Sequence, residues 1–260
     1  MDRAKHSIAA HFGLKVSKYH DHAVVQQQLL SRVLPYYLAH RNGHALWADI
    51  GCGDGSLEQF PEIRSGTCPS LGIDISFQSV AFCSRSVCRE TQWVCADMEQ
   101  PPLQTETLDG IIAASVLQWA LSFPDAIATF ADLLKPAGIF IFSLFTNDSF
   151  SELYAVRQHF GMPVPIRLPS IDTVNDLFTR NGFTDTEIHP FTQTLHFNSA
   201  YDVLRHFSAI GSTASFTQSL TRSRLKEICS YYETRFGTGN GIPITYKAHY
   251  GFTRKGGVHA

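Results

Sequence analysis

The sequence predicts an α/β fold, a doubly wound and mostly parallel sheet closed by an antiparallel strand at its C-terminal end. Three observations predict it. Five short runs in the first 145 residues are apolar at consecutive positions rather than alternate ones, as strands covered on both faces require. Stretches with helical spacing separate most of those runs, and strand–helix alternation implies a layered α/β structure. Two late segments alternate apolar with polar residues, the mark of strands with one wet face.

The runs are "HALWADIG" (44–51), "SLGIDIS" (70–76), "TQWVCADM" (91–98), "LDGIIAAS" (108–115) and "AGIFIFSLF" (137–145). Helical spacing is read at "SLEQFPEI" (56–63), at "FQSVAFCSRSVCRE" (77–90) and at "FPDAIATFADLLK" (123–135), the last stopped by Pro136. Ahead of them, "DHAVVQQQLLSRVLPYYLAH" (21–40) carries an apolar stripe over several turns. The alternating segments are "TDTEIHPFTQTLHF" (184–197) and "PITYKAHYGFTRK" (243–255), read as a closing antiparallel pair. Stretches 146–183 and 198–241 fit no sheet and are read as mostly helical. The whole chain reads as one domain, 1–260, with covering elements at about 1–25, 146–170 and 198–241.

Composition excludes several classes. At 260 residues, 44% hydrophobic and 17% charged, the chain can bury a full core. A formal charge of -2 and a pI of about 6.6 provide no global field for nucleic acid or an anionic membrane. No apolar run approaches the ~18 residues of a membrane span, and "MDRAKHSIAAHFG" lacks a signal-peptide core. The six cysteines, Cys52, Cys68, Cys83, Cys88, Cys95 and Cys229, show neither a C-x-x-C pair nor metal-ligand spacing. They are read as reduced thiols in a cytoplasmic protein without a metal.

Chemistry concentrates at strand ends. "WADIGCGDGSLEQF" (47–60) places Gly51, Gly53 and Gly55 directly after the first strand, where a bare backbone turns tightly and approaches a ligand. The second strand ends in Asp74, about 20 residues on, where a carboxylate accepts both hydroxyls of a ribose. The third ends in "CADMEQ", which puts Asp97 and Met98 at an adenine edge. A dinucleotide oxidoreductase wants a third glycine at position 56, which is Ser56.

The G-x-G-x-G spacing preceded by Asp49 instead resembles the first motif of class I S-adenosylmethionine-dependent methyltransferases. "GIDIS" is similar to their ribose-binding strand, "ADMEQPPL" to their adenine segment, and "LLKPAGIFIFS" to their turn into the fifth strand, with Ala137 where a second glycine is usual. Within that class, "ASVLQWA" (114–120) resembles the "LALQW" segment of the malonyl-acyl-carrier-protein O-methyltransferases of biotin synthesis, the BioC family. "HFG" followed by "YHDHAVVQ" (19–26) resembles that family's opening, and "FSELYAVR" (150–157) its helix after the fifth strand. "VLRHFSAIGSTAS" (203–215), "LTRSRLKEI" (220–228) and "IPITYKAHYGFTRK" (242–255) resemble its later segments. The resemblance implies a Rossmann-like methyltransferase sheet with a helical lid. It also implies S-adenosyl-L-methionine as cofactor, held by Tyr19, Asp49, Gly51, Cys52, Gly53, Asp74, Ile75, Asp97, Met98 and Ser115.

The implied reaction methylates the free carboxylate of a malonyl thioester on acyl carrier protein, or on coenzyme A. Carboxylic acids titrate near about 4, so the acceptor is already ionised at neutral pH and no general base is expected. Anion and cation combine into neutral products, so a dry, aromatic site that aligns the reactants is expected. Tyr19, Gln118, Trp119, Tyr246 and Ser212, with Thr213 beside it, are the candidates for positioning the substrate. Arg205, Arg222, Arg224 and Lys226 form a candidate basic face for an acidic carrier protein. The alternatives are a methyltransferase for a free acid such as trans-aconitate or for a quinone precursor, a cofactor-binding protein without catalysis, and a dinucleotide oxidoreductase.

Overall fold

The computed structural model describes residues 3–13, 22–42, 45–63, 68–163, 167–209 and 220–257. Helices α1 (Arg3–Gly13) and α2 (Val24–His40) precede strand β1 (Trp47–Ile50). Then come β2 (Leu71–Asp74), α3 (Phe77–Ser86), β3 (Gln92–Cys95), β4 (Leu108–Ala114), α4 (Phe123–Leu133) and β5 (Leu134–Phe145). Helices α5 (Ser151–His159) and α6 (Ile171–Arg180) lead to β6 (Phe183–Phe197). Helices α7 (Ala200–Ala209) and α8 (Arg222–Phe236) lead to β7 (Ile242–Lys255).

The seven strands form one sheet in the order β3-β2-β1-β4-β5-β7-β6. Strands β1 to β5 pair in parallel, and β7 runs antiparallel between β5 and β6. The consecutive apolar positions follow from burial on both faces. Ile111, Ala113, Phe140 and Phe142 join the cluster under α4 and α6, whereas Ile112, Ile139 and Ile141 join the one under α2. Strand order reverses between β2 and β4 on either side of β1, the switch point where α/β sheets bind ligands.

Side-chain caps start several helices. Ser76, Ser122, Ser170 and Thr221 each accept the backbone N–H three residues on, satisfying a donor that the first turn leaves open. Among the described residues of 146–183 and 198–241, four helices, α5 to α8, are present. α5, α7 and α8 pack Leu153, Val156, Val203, Phe207, Ile228 and Tyr232 on Ile244 and Tyr246 of β7. Glu152 of α5 fastens them to that strand, accepting from the backbone N–H of Thr245 at 3.1 Å and from its hydroxyl at 2.6 Å.

Two expectations are overturned. Residues 56–63 form successive turns rather than a helix. Pro61 has no N–H to continue an i→i−4 ladder, and Phe60 and Ile63 donate to Leu57 and Phe60, three residues back. The side-chain amide of Gln59 takes the carbonyls of Asp54 and Gly55 instead. The six cysteines are not all reduced thiols either: Cys68 and Cys88 are joined as a disulfide, leaving Cys52, Cys83, Cys95 and Cys229 free. The bond ties the approach to β2 to the segment after α3, two places that sequence spacing alone does not bring together. Among the described residues no helix is long and apolar enough to cross a membrane.

Candidate active site

A cavity opens beyond the carboxyl ends of β1 to β4. It is lined by Asp49, Gly51, Cys52, Gly53 and Asp54 from the first strand and its turn, and by Asp74 and Ile75 from the second. Ala96 to Glu99 contribute from the third, and Ala114 to Val116 and Trp119 from the fourth. Gly51, Gly53 and Gly55 take φ of 76°, 56° and 69°, left-handed values that a side chain resists. A Cβ on Gly53 would meet no atom closer than 3.9 Å, so bare backbone borders the cavity there.

That turn is fastened to the second strand. The backbone N–H groups of Gly51 and Cys52 donate to the Ile73 carbonyl, at 2.7 and 3.1 Å. Each oxygen of Asp74 accepts one backbone N–H, from Gly53 at 3.0 Å and from Ser76 at 2.8 Å. Burial raises the Asp74 pKa while those two donors restrain the rise. Each oxygen keeps the capacity to accept a further donor.

Acids crowd beneath the turn. Asp49 is 4% exposed, and its carboxyl is pushed well above the ordinary range by burial, then by the charges of Glu58, Asp74 and Asp54. Glu58 is 1% exposed, and neither of its oxygens has a hydrogen-bond partner among the described residues. Burial lifts its pKa to about 8; its own backbone N–H opposes the rise, and Cys83 and Asp54 add to it. A cation placed beside Asp49 would pull these pKa values back down and favour the ionised carboxyls.

On the fourth strand, Ser115 adopts φ of 55°, uncommon for a residue with a side chain, and its N–H donates to the Ser143 carbonyl at 2.8 Å. Trp119 reaches the cavity and meets the ring of Phe12 edge-on, with centroids 5.0 Å apart. Gln118 is not among the described lining residues. Its amide turns back to donate to the Ser115 carbonyl at 2.6 Å, leaving Oε1 buried without a partner there.

Tyr246 lies elsewhere. It is 0% exposed, packed among Phe145, Phe150 and Phe207, and its hydroxyl bonds His206 Nε2 at 2.7 Å. Its position in β7 explains this, because Ile242, Ile244, Tyr246 and Ala248 form the buried alternate set. Burial pulls the His206 pKa down to about 4, helped by His22 nearby, so the imidazole is neutral. Tyr19, Ser212 and Thr213 lie outside the described residues.

The basic residues divide between two helices. Arg222 and Lys226 are exposed and four residues apart on α8, and Arg205 is exposed on α7. Arg224 is engaged locally, paired with Glu227 at 2.8 Å and set over the Phe160 ring at 4.6 Å.

Sequence reasoning missed Lys5, Ile8 and Phe12 of α1, which also line the cavity. Their i, i+3, i+7 spacing was the available signal. It missed Glu58 too, whose neighbour Leu57 is apolar and which no sequence feature marks as buried. Among the described residues one cluster carries metal-ligand atoms, Cys68, Cys88 and Glu90, and its two sulfurs are bonded to each other.

Residues 48–142 match the methyltransferase-domain family. A malonyl-[acyl-carrier protein] O-methyltransferase of Brevibacillus brevis is 26% identical over 270 residues, covering 95% of each chain. One from Geobacter sulfurreducens is 27% identical over 271 residues, covering 98% of this chain and 100% of its own. Among solved structures, magnesium protoporphyrin IX methyltransferase from Synechocystis PCC 6803 with bound SAH superposes with a TM-score of 0.56 at 17% identity, covering 91% of this chain and 85% of that one. Residues 48–142 thus carry a methyltransferase domain, the fold is that of solved methyltransferases, and over nearly its whole length the chain is similar to malonyl-[acyl-carrier protein] O-methyltransferases.

Proposed function

We propose that this chain transfers a methyl group from S-adenosylmethionine to the free carboxylate of a malonyl thioester on acyl carrier protein, giving the methyl ester that starts pimelate synthesis for biotin. The observation that carries the reading is the end-to-end likeness to malonyl-[acyl-carrier protein] O-methyltransferases. The donor set fits the cofactor. Asp74 is held with lone pairs free for the ribose hydroxyls, Asp97 and Met98 stand where the adenine would lie, and the Asp49 cluster suits a cation. Gly51, Cys52, Gly53, Ile75 and Ser115 complete that wall.

The cofactor supplies a methyl group on a cationic sulfur. The acceptor carboxylate is ionised at neutral pH, so the protein has no proton to remove. Its work is to align the acceptor and exclude water, because opposite charges cancel as the methyl passes and water would favour the separated ions. Ile8, Phe12 and Trp119 supply the apolar side of the cavity. The segments at 1–25, 146–170 and 198–241 act as the cover, with Tyr19, Trp119 and Ser212 as positioning groups, while the Gln118 amide is held by the Ser115 carbonyl. The burial of Tyr246 favours a structural role for it behind that cover. Arg205, Arg222 and Lys226 offer an acidic carrier protein a basic face, and Arg224 contributes after leaving Glu227.

Incubation with labelled cofactor and, separately, malonyl-carrier protein, malonyl-CoA, malonate and trans-aconitate tests the assignment. Label is expected on the carrier-bound thioester as a base-labile ester. Transfer to the free acids alone would overturn it.

A further inference from the structure

Helix α1 is pinned at three places, all around the same cavity. Lys5, Ile8 and Phe12 share one helical face, and all three line the cavity. At the first place, the Lys5 ammonium bonds both Asp97 and Glu99. Glu99 is independently fixed, its two oxygens accepting the backbone N–H groups of Leu121 at 3.1 Å and Ser122 at 2.8 Å. At the second, the Phe12 ring meets Trp119. At the third, Gly13 lies so close to the start of α3 that a Cβ would come within 2.6 Å of Gln78 Oε1 and 2.8 Å of Ser76 Oγ. α1 thus spans from the segment after β3, past the exit of β4, to the residues that follow Asp74.

The ion pairs are sheltered. The side chains of Lys5, Asp97 and Glu99 are 13%, 24% and 9% exposed, so solvent screens them less than a surface pair. Burial lowers the Lys5 pKa, but the bonds to Asp97 and Glu99 outweigh it and hold the ammonium above its ordinary value. Asp97 is also the carboxylate that the proposed function sets beside the adenine. Lys5 therefore orients a cofactor-facing group while tying down the roof over it.

We propose that Lys5 is a cofactor-site residue that latches α1 over the cavity, so that its ion pairs must part before cofactor enters or leaves. The proposal rests on the reading that this cavity holds an adenosyl cofactor. Lys5 is a positioning residue, acting through Asp97 and the helix it anchors.

The test compares wild type, Lys5→Met, which keeps an unbranched apolar chain without the charge, and Lys5→Arg. S-adenosylhomocysteine release is followed by stopped-flow tryptophan fluorescence over a range of salt, and hydrogen exchange of residues 3–13 is measured without cofactor. Lys5→Met is expected to release the ligand about tenfold faster, with release insensitive to salt, whereas wild-type release accelerates as salt rises. Exchange in 3–13 is expected to quicken in Lys5→Met, and Lys5→Arg is expected to restore both readouts. Equal release and equal exchange in wild type and Lys5→Met would overturn the latch while leaving the cofactor reading intact. No ligand binding to wild type at all would overturn the cofactor reading, and the latch with it.

Discussion

Glu58 shows what single residues decide here. An ionised carboxylate without a hydrogen-bond partner is costly to bury, so this one stays protonated through neutral pH. Its folded pKa of about 8 lies above the ordinary value of an unfolded chain. Between those two pKa values the folded state holds a proton that the unfolded state has lost, so stability falls as pH climbs through that window. Asp49 and Asp74, also raised, act with the same sign. Glu58→Gln removes one of these groups without changing shape. It is expected to leave the melting temperature near pH 5 almost unchanged and to raise it by about 2–4 °C or more at pH 8. A variant less stable than wild type at both pH values would mean that Glu58 makes a bond the structure lacks. None of this was legible in "GSLEQF", because burial at position 58 is decided by packing around the whole turn rather than by its neighbours in sequence.

At the scale of elements, legibility followed the range of the interactions. The strands could be read because their apolar runs reflect burial on two faces; β6 and β7 came out within a residue of their expected limits, whereas β5 begins at Leu134, inside the stretch read as helix. The turn at 56–63 and the particular contacts of α1 could not be read, although 1–25 was read as a covering element. The first hinges on how a side chain, Gln59, meets the open carbonyls. The second hinges on Lys5 finding Asp97, 92 positions away. The first part of β5 shows a cost of sequence drift that was partly visible: Ala137 stands where the resembled class prefers glycine, and its φ is 63°. A left-handed alanine costs roughly 1–2 kcal/mol, and glycine returns about 0.5–1 kcal/mol of that in unfolded-chain entropy. Ala137→Gly is therefore expected to stabilise the protein by about 0.5–1 kcal/mol in urea unfolding. A loss of stability would show that the strained turn is compensated by contacts of the alanine methyl.

The molecule as a whole separates two tasks. The five parallel strands and their turns build a cavity whose acids suit a cationic ligand. The later helices and β7 form a second apolar cluster, with Tyr246 at its centre and His206 beside it. That division was legible as an outline, since stretches 146–183 and 198–241 visibly belonged to no parallel sheet. The roles of individual residues in the cover were not, because an aromatic ring in an alternating strand reads the same whether it faces a substrate or a core. Both tasks serve one requirement, a place dry enough for opposite charges to cancel and needing no base. The most direct measurement is the single-turnover rate of methyl transfer to malonyl-carrier protein between pH 6 and 9, with the protein saturated by both reactants. A rate that is flat with pH is expected. A rate that climbs tenfold with each pH unit below a bend would reveal a proton that must be removed before transfer, and would contradict the account.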